Sequence, residues 1–444
     1  MRIHFIGIGG VSMSALAKLM LVWEHEVSGS DVAFNSNVLE LMELGAKVYV
    51  GIEKGVVEKA DLVVYSASIK EDDVELNYAR ELKKRIIPRS YFLKEVSEEF
   101  NECIAVSGTH GKTTVSQMLG EILLKSNREF TLHAGGQGKN GNLIYKGKDI
   151  FVTEACEYNR SFLALRPNVA VILNVEYDHP DTYKNLGEIY DAFNSFSLNT
   201  KRGGTVVVSK DSEFYNIVKC SYKHICTYSL KSTADFTATN IINYCNGIYG
   251  FQIVEKGHPN IDIKLKVAGI HNVENALSAY ATARIIGLEP KTIQRGLEEF
   301  LGVKGRMECL GSFNGATLYY DYAHHPTEIK MAIRTALELN DKGRLKVVFQ
   351  PHTLSRTQAL LEEFTTSFQG ASEVYVFKEY LARKEEGGLS AYDLYERMKG
   401  GEGIFYYANS LELCQALAGS LEKGDLLLFL GAGDVGEVGR LLLK

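Results

Sequence analysis

Lys112, Thr113 and Thr114 follow the short turn Gly108-Thr-His-Gly111 and open an amphipathic run at 115–124. Those residue types in that order suit a nucleoside triphosphate. Glycines let backbone N–H groups converge on phosphate oxygens, and a helix starting there adds its positive end. Lys112 would reach the β- and γ-phosphates and Thr113 would ligate Mg²⁺. Gly108, Thr109, His110, Gly111 and Thr114 complete the expected cradle. The spacing is short for a Walker loop, whose first glycine would fall at 106; this chain has Val106 there. The loop reads as a triphosphate site that differs from an ordinary P-loop ATPase.

Further constellations lie after other strand-like runs. Glu154 stands where a metal-holding carboxylate would sit. Asn174, Asp178 and His179 follow the next apolar run. A lone acid or histidine is more often solvated, but both segments follow strands expected to flank the loop strand. Later come DYAHHPTE (321–328) and FQPHTLSRT (349–357). His324 and His325 are adjacent and so point apart. No H-E-x-x-H or cysteine partner supports zinc. Substrate binding is the better reading, with the Arg356 fork suited to a carboxylate. Helix capping by His325, Thr327 or Glu328 stays open.

Two glycine turns compete for a dinucleotide or diphosphate. Gly7-Ile-Gly-Gly-Val-Ser12 nearly fits G-x-G-x-x-G, with Ser12 in place of the third glycine. Gly431-Ala-Gly-Asp-Val-Gly436 fits in full, but the chain stops at Lys444, which leaves no second strand and no ribose-binding acid. That turn is expected to line an interdomain cleft instead.

These residues need strands and helices to place them. Residues 1–89 alternate short strands (2–6, 26–29, 47–50, 61–66, 85–87) with helical runs at 12–23 and 38–44, a small parallel α/β sheet. A second α/β unit takes in strands at 103–107, 150–154, 169–175 and 205–209. It then carries an antiparallel patch around Asn246-Gly247, a strong hairpin signal, and helices at 272–286 and 290–300. Residues 302–305 read as a hinge. A third unit has strands at 317–322, 345–350, 373–378, 404–407 and 426–430. The expected domains are 1–89, 90–302 and 303–444. Each has a mainly parallel sheet flanked by helices, and the central one is P-loop ATPase-like.

Composition bounds the rest. The 444 residues are 45% hydrophobic and 23% charged with net charge −6, which disfavours nucleic-acid or anionic-membrane partners. No signal peptide or run of about 20 apolar residues stands out. Seven scattered cysteines without a C-x-x-C pair read as reduced thiols, and hence a cytoplasmic chain.

The ordered set GIGGVSMSALA (7–17), VSGSD (27–31), GTHGKTT (108–114), EACEYNRSFL (154–163), NVEYDHPD (174–181), HNVENALSA (271–279), GVKGRME (302–308), DYAHHPTE, FQPHTLSRT and GAGD (431–434) resembles the Mur ligases along the whole chain. His110 and the double histidine at 324–325 are similar to the members that add L-alanine to UDP-N-acetylmuramate in peptidoglycan precursor synthesis. The resemblance implies a UDP-sugar domain, a central ATPase domain and a C-terminal domain that brings the amino acid. Gly7, Gly9, Gly10 and Ser66 match the UDP-sugar side. Lys112 and Arg306 match γ-phosphate contacts, and His271 and Asn275 the adenine side. Thr113 and Glu154 match ligands of one Mg²⁺, and His179 a ligand of a second. His324, His352 and Arg356 match the region receiving the amino acid, with His324 the candidate base.

ATP, two Mg²⁺ ions, UDP-N-acetylmuramate and L-alanine are thus the implied partners, and a monomer or weak homodimer the implied state. Three positions depart from the family pattern: Cys156 stands for an aspartate, Thr353 for an arginine, and Gly305 where an arginine often precedes Arg306. A ligase that adds a tripeptide to the same sugar is the near alternative. An NAD-dependent oxidoreductase built on residues 7–12 and a non-catalytic nucleotide-binding module are the distant ones.

Overall fold

The glycine turn at 7–12 leaves the middle strand of a five-stranded parallel sheet. In the computed structural model, which describes residues 1–340, 343–381 and 387–444, that sheet runs Lys47–Val50, Glu26–Asp31, Arg2–Ile6, Leu62–Tyr65, Arg85–Pro88. Strand order reverses at Arg2–Ile6, and such a reversal opens a crevice beyond the carboxyl ends of the strands. Asn35 caps the helix Ser36–Glu43 by accepting from the Val38 N–H, and Asp73 caps Val74–Glu81 through Leu76.

The chain packs into two compact units. The first comprises Met1–Val175, Ile189–Asp235 and Ser278–Gly296; the second, Glu176–Glu188, Phe236–Leu277 and Leu297–Lys444. Besides the N-terminal sheet, the first unit holds strands in the order Ile225–Ser229, Thr205–Ser209, Val169–Ile172, Glu102–Ser107, Ile150–Glu154, Phe130–Gly138, Gly141–Tyr145. All pair in parallel except the last two. The strand before the nucleotide loop is therefore flanked on both sides by the strands that carry Glu154 and Asn174, as expected. Cys103, Ile104, Ala105 and Val106 are completely or almost completely buried, which anchors the loop's stem.

The second unit contains the antiparallel strands Phe236–Cys245, Ile248–Glu255 and Ile261–Ala268. Asn246 and Gly247 join the first two with φ of 48° and 65°, the left-handed pair a tight hairpin needs. Its six-stranded sheet runs Glu308–Phe313, Ala316–Asp321, Leu426–Leu430, Leu345–Phe349, Glu373–Phe377, Ile404–Tyr407, antiparallel in the first pair alone. Ile333, Val347, Phe349, Leu428 and Leu430 centre its core.

The architecture is the three-domain α/β arrangement expected, with strands added to it. The pair Phe130–Gly138 and Gly141–Tyr145 escaped notice because His133, Gly135, Gly136 and Gln137 break any apolar alternation. Ile225–Ser229 and Glu308–Phe313 are likewise too mixed in polarity to stand out. Among the described residues no helix is long and apolar enough to cross a membrane, and all seven cysteines are free.

Candidate active site

The nucleotide loop is held from below and open above. Gly108 and Gly111 sit at φ of 140° and 85°, where an L side chain would be strained. A Cβ on Gly108 would also lie 3.0 Å from Leu173 and 3.2 Å from the Asn174 backbone. Asn174 clamps the turn. Its Oδ1 accepts from the His110 N–H at 2.7 Å, its Nδ2 donates to the His110 carbonyl, and its own carbonyl accepts from Thr109. The N–H groups of Gly111, Lys112, Thr113 and Thr114 have no acceptor among the described residues, and the first turn of Lys112–Leu124 has no acid. That arrangement fits a triphosphate.

The Lys112 ammonium lies 2.9 Å from Glu157 and donates to the Gly108 and Thr109 carbonyls. Burial pulls its pKa down, but the Glu157 carboxylate outweighs burial and keeps it raised. Glu154 pairs in register with Val106 and accepts from the Gly135 N–H. A Cβ on Gly135 would come within 2.7 Å of the carboxylate, so glycine there gives it room. Glu154 and the Thr113 hydroxyl are both oxygen donors of the kind Mg²⁺ takes.

In the first glycine turn the glycine N–H groups are spent within the protein. The N–H groups of Gly7 and Ile8 go to the Ser30 carbonyl, that of Gly9 to Asp31 Oδ2 at 2.7 Å, and that of Gly10 to Gly7. Donors without an acceptor among the described residues are those of Val11, Ser12 and Met13, at the start of an acid-free helix. Gly7, Gly9 and Gly10 thus shape the turn while the helix start offers the N–H groups. A Cβ on Gly9 would press within 3 Å of Asn35, Asp31 and Val38, and one on Gly7 within 3.2 Å of Ser66. Ser66 therefore sits beside the turn, its hydroxyl paired with Ser68.

The second unit gathers His179, His271, Asn275, Arg306, His324, His352 and Arg356. Arg306 lies 3.6 Å from Glu328 and 3.8 Å from Asp321, over the Tyr322 ring at 5.3 Å. Burial, then Arg306, lowers His271 to about 4, so these two groups share one neighbourhood. Asn275 donates to Asn272. Arg356 donates from Nε to Asp178 at 2.8 Å and from a terminal nitrogen to His352. Both charged partners are almost fully buried, and the Arg356 guanidinium helps hold the Asp178 carboxyl well below its usual range against burial. Arg356 therefore meets any substrate carboxylate with one internal carboxylate already bound.

His179 and Thr353 are non-glycine residues at φ of 55° and 71° beside that pair, local strain of the sort found at functional sites. The tandem histidines part company. His325 caps Pro326–Leu339, accepting from Thr327 and donating from Nε2 to the Tyr177 carbonyl. The capping alternative holds for this residue. His324 donates from Nδ1 to the Tyr322 carbonyl and faces the His352 ring at 5.5 Å. Burial, then Arg356, pushes it down to about 3. The neutral imidazole presents Nε2 as an acceptor. The turn at 431–436 packs on the sheet, Gln350 bonding both Asp434 and the Val435 N–H.

Family models match in order: the Mur ligase family, catalytic domain, over residues 2–101, the Mur ligase middle domain over 106–283, and the Mur ligase, glutamate ligase domain, over 305–433. A UDP-N-acetylmuramate–L-alanine ligase of Caldicellulosiruptor saccharolyticus is 38% identical over 448 residues, spanning 100% of this chain and 98% of that protein. Another, from Clostridium beijerinckii, is 39% identical over 449 residues, spanning 100% and 97%. This chain belongs to the Mur ligase family. The crystal structure of the UDP-N-acetylmuramate–alanine ligase of Thermotoga maritima matches with a TM-score of 0.84 at 28% identity, covering 100% of this chain and 98% of that one.

Within this Mur ligase, one departure has a structural reason. Gly305 sits at φ of 73° with Tyr320 3.2 Å from where a Cβ would be, so a side chain there would be strained. Cys156 is a thiol pushed up by burial and by Glu157, hence neutral. Reading the sequence assigned no role to Glu157 or Asp178 in pairing Lys112 and Arg356. The signal was the second acid of E-A-C-E and the D-H pair, but the partners lie 45 and 178 residues away.

Proposed function

We propose that this Mur ligase is an ATP-dependent amide-bond ligase that joins L-alanine to UDP-N-acetylmuramate. The observation that carries the reading is the nucleotide loop whose strand is flanked by the carriers of Glu154 and Asn174, in a chain collinear with ligases of that name. In this proposal the domains are 1–89 for the UDP-sugar, 90–302 for ATP and 303–444 for the amino acid.

The sugar's carboxylate attacks the γ-phosphate in line, giving an acyl phosphate and ADP. The alanine amine then attacks the activated carbonyl and phosphate leaves. Lys112, the N–H groups of 111–114 and Arg306 stabilise charge on the transferring oxygens, which is most of what phosphoryl transfer requires. Mg²⁺ on Thr113 and Glu154, with His179 serving a second ion, would neutralise the same oxygens. His271 and Asn275 serve the adenine side. His324, His352 and Arg356 orient the amino acid; the amine's proton goes to solvent or product phosphate.

Phosphate release should require ATP, Mg²⁺, UDP-N-acetylmuramate and L-alanine together. Equal release without alanine would sink the proposal. A preference for a tripeptide over alanine in a competition assay would turn it toward the recycling reaction.

A further inference from the structure

We infer that Arg89 is a substrate-binding residue that captures the carboxylate of the UDP-linked sugar and aims it at the nucleotide loop. The inference rests on the proposed function and adds to it a residue that decides between sugars with and without that carboxylate.

Arg89 is the first residue of the helix Arg89–Glu98, directly after the edge strand Arg85–Pro88. One terminal nitrogen donates to the Ser12 hydroxyl at 3.1 Å. Ser12 in turn bonds His133 Nε2 at 3.0 Å, and His133 Nδ1 meets the Thr153 hydroxyl at 2.8 Å, one residue before Glu154. Arg89 is thus tied to the start of the helix that follows the sugar-side turn, and through Ser12 and His133 to the strand that carries Glu154. Among the described residues no carboxylate pairs with its guanidinium, and its other N–H groups bond nothing. A partly buried arginine with four unused donors beside a substrate turn is matched to a bidentate anion.

The position selects the carboxylate over the diphosphate. The diphosphate has its own donors, the N–H groups of Val11, Ser12 and Met13. Arg89 instead reaches, through Ser12, His133 and Thr153, the strand that ends at Glu154 and pairs with the strand before the nucleotide loop. Lys112 already has Glu157; Arg89 has no such counterion. A carboxylate held by Arg89 faces the group that Lys112 holds, which is the pair of reactants the first step joins.

The test measures direct binding by calorimetry of UDP-N-acetylmuramate and of UDP-N-acetylglucosamine, which shares the diphosphate but lacks the carboxylate. Wild-type protein, Arg89→Ala and Arg89→Lys are compared, with melting temperatures to establish folding. Expected is a roughly ten- to hundredfold loss for UDP-N-acetylmuramate in Arg89→Ala, little change for UDP-N-acetylglucosamine, and partial recovery in Arg89→Lys. ATP binding should stay as in the wild type. An equal loss for both sugars assigns Arg89 to the diphosphate and overturns the inference alone, as does unchanged binding of both. Failure of the folded wild type to bind either sugar overturns the proposed function and this inference with it.

Discussion

The turns at 7–12 and 431–436 invert what their sequences promise. The second satisfies G-x-G-x-x-G completely, yet its helix starts from Asp434 with Glu437 in the first turn, and a side chain already takes one of its N–H groups. Gln350 takes the Val435 N–H, Asp434 takes the Gln350 amide, and a Cβ on Gly433 would collide with Gln350 and Tyr380 at about 2.4 and 2.5 Å. The first turn breaks the pattern at Ser12, yet it leaves the donors of residues 11–13 unspent and puts a hydroxyl in touch with Arg89 and His133. A glycine pattern describes how tightly a chain turns. Whether an anion binds depends on which N–H groups the fold has left over.

The comparison can be broken at several strengths. Most damaging is Lys112→Ala in the other open loop, expected to cut turnover by at least roughly a hundredfold and to lower the melting temperature by leaving Glu157 unpaired; retained turnover would remove the premise that open loops do the chemistry. Next, Gly9→Ala places a methyl within 3 Å of Asn35, Asp31 and Val38. It should raise KM for the UDP-sugar about tenfold and leave KM for ATP alone. Gly433→Ala, in the second turn, should cost about 1–3 kcal/mol of stability in denaturant titration and change neither KM. Were Gly433→Ala to raise the sugar KM more than Gly9→Ala, the contrast would be reversed.

The smallest effect concerns pH. His133 and His271 are lowered by burial from the ordinary 6.5 to about 4. Between those values the unfolded chain binds protons that the native chain refuses. Stability is therefore complete above about 6.5 and is lost progressively as pH falls toward about 4. Melting temperature should drop across that window, and His133→Gln should flatten part of the slope. No slope there would mean the two rings are not buried neutral.

Much of this was legible in the residues. Strands such as Arg2–Ile6, Lys47–Val50, Ile150–Glu154 and Thr205–Ser209 announce themselves because apolar runs end at glycine or polar turns. Local motifs such as 108–114 were readable because their chemistry is contiguous. The partners were not. Glu157 for Lys112, Asp178 for Arg356 and Ser12 for Arg89 are joined by the sheet order, which periodicity does not encode. His324 and His325 looked alike in sequence; a proline at 326 and the Tyr177 carbonyl make one a cap, and burial makes the other a weak base.

The ion pair between Lys112 and Glu157 has a consequence for the cycle. In the proposed reaction Glu157 is a stand-in for the γ-phosphate, so the loop is charge-balanced before nucleotide arrives and again after phosphate departs. Each turnover then includes an exchange of anions on one lysine, with Glu157 as the returning one. Nucleotide affinity is set by the difference between two similar attractions, which favours release and re-entry over tight retention.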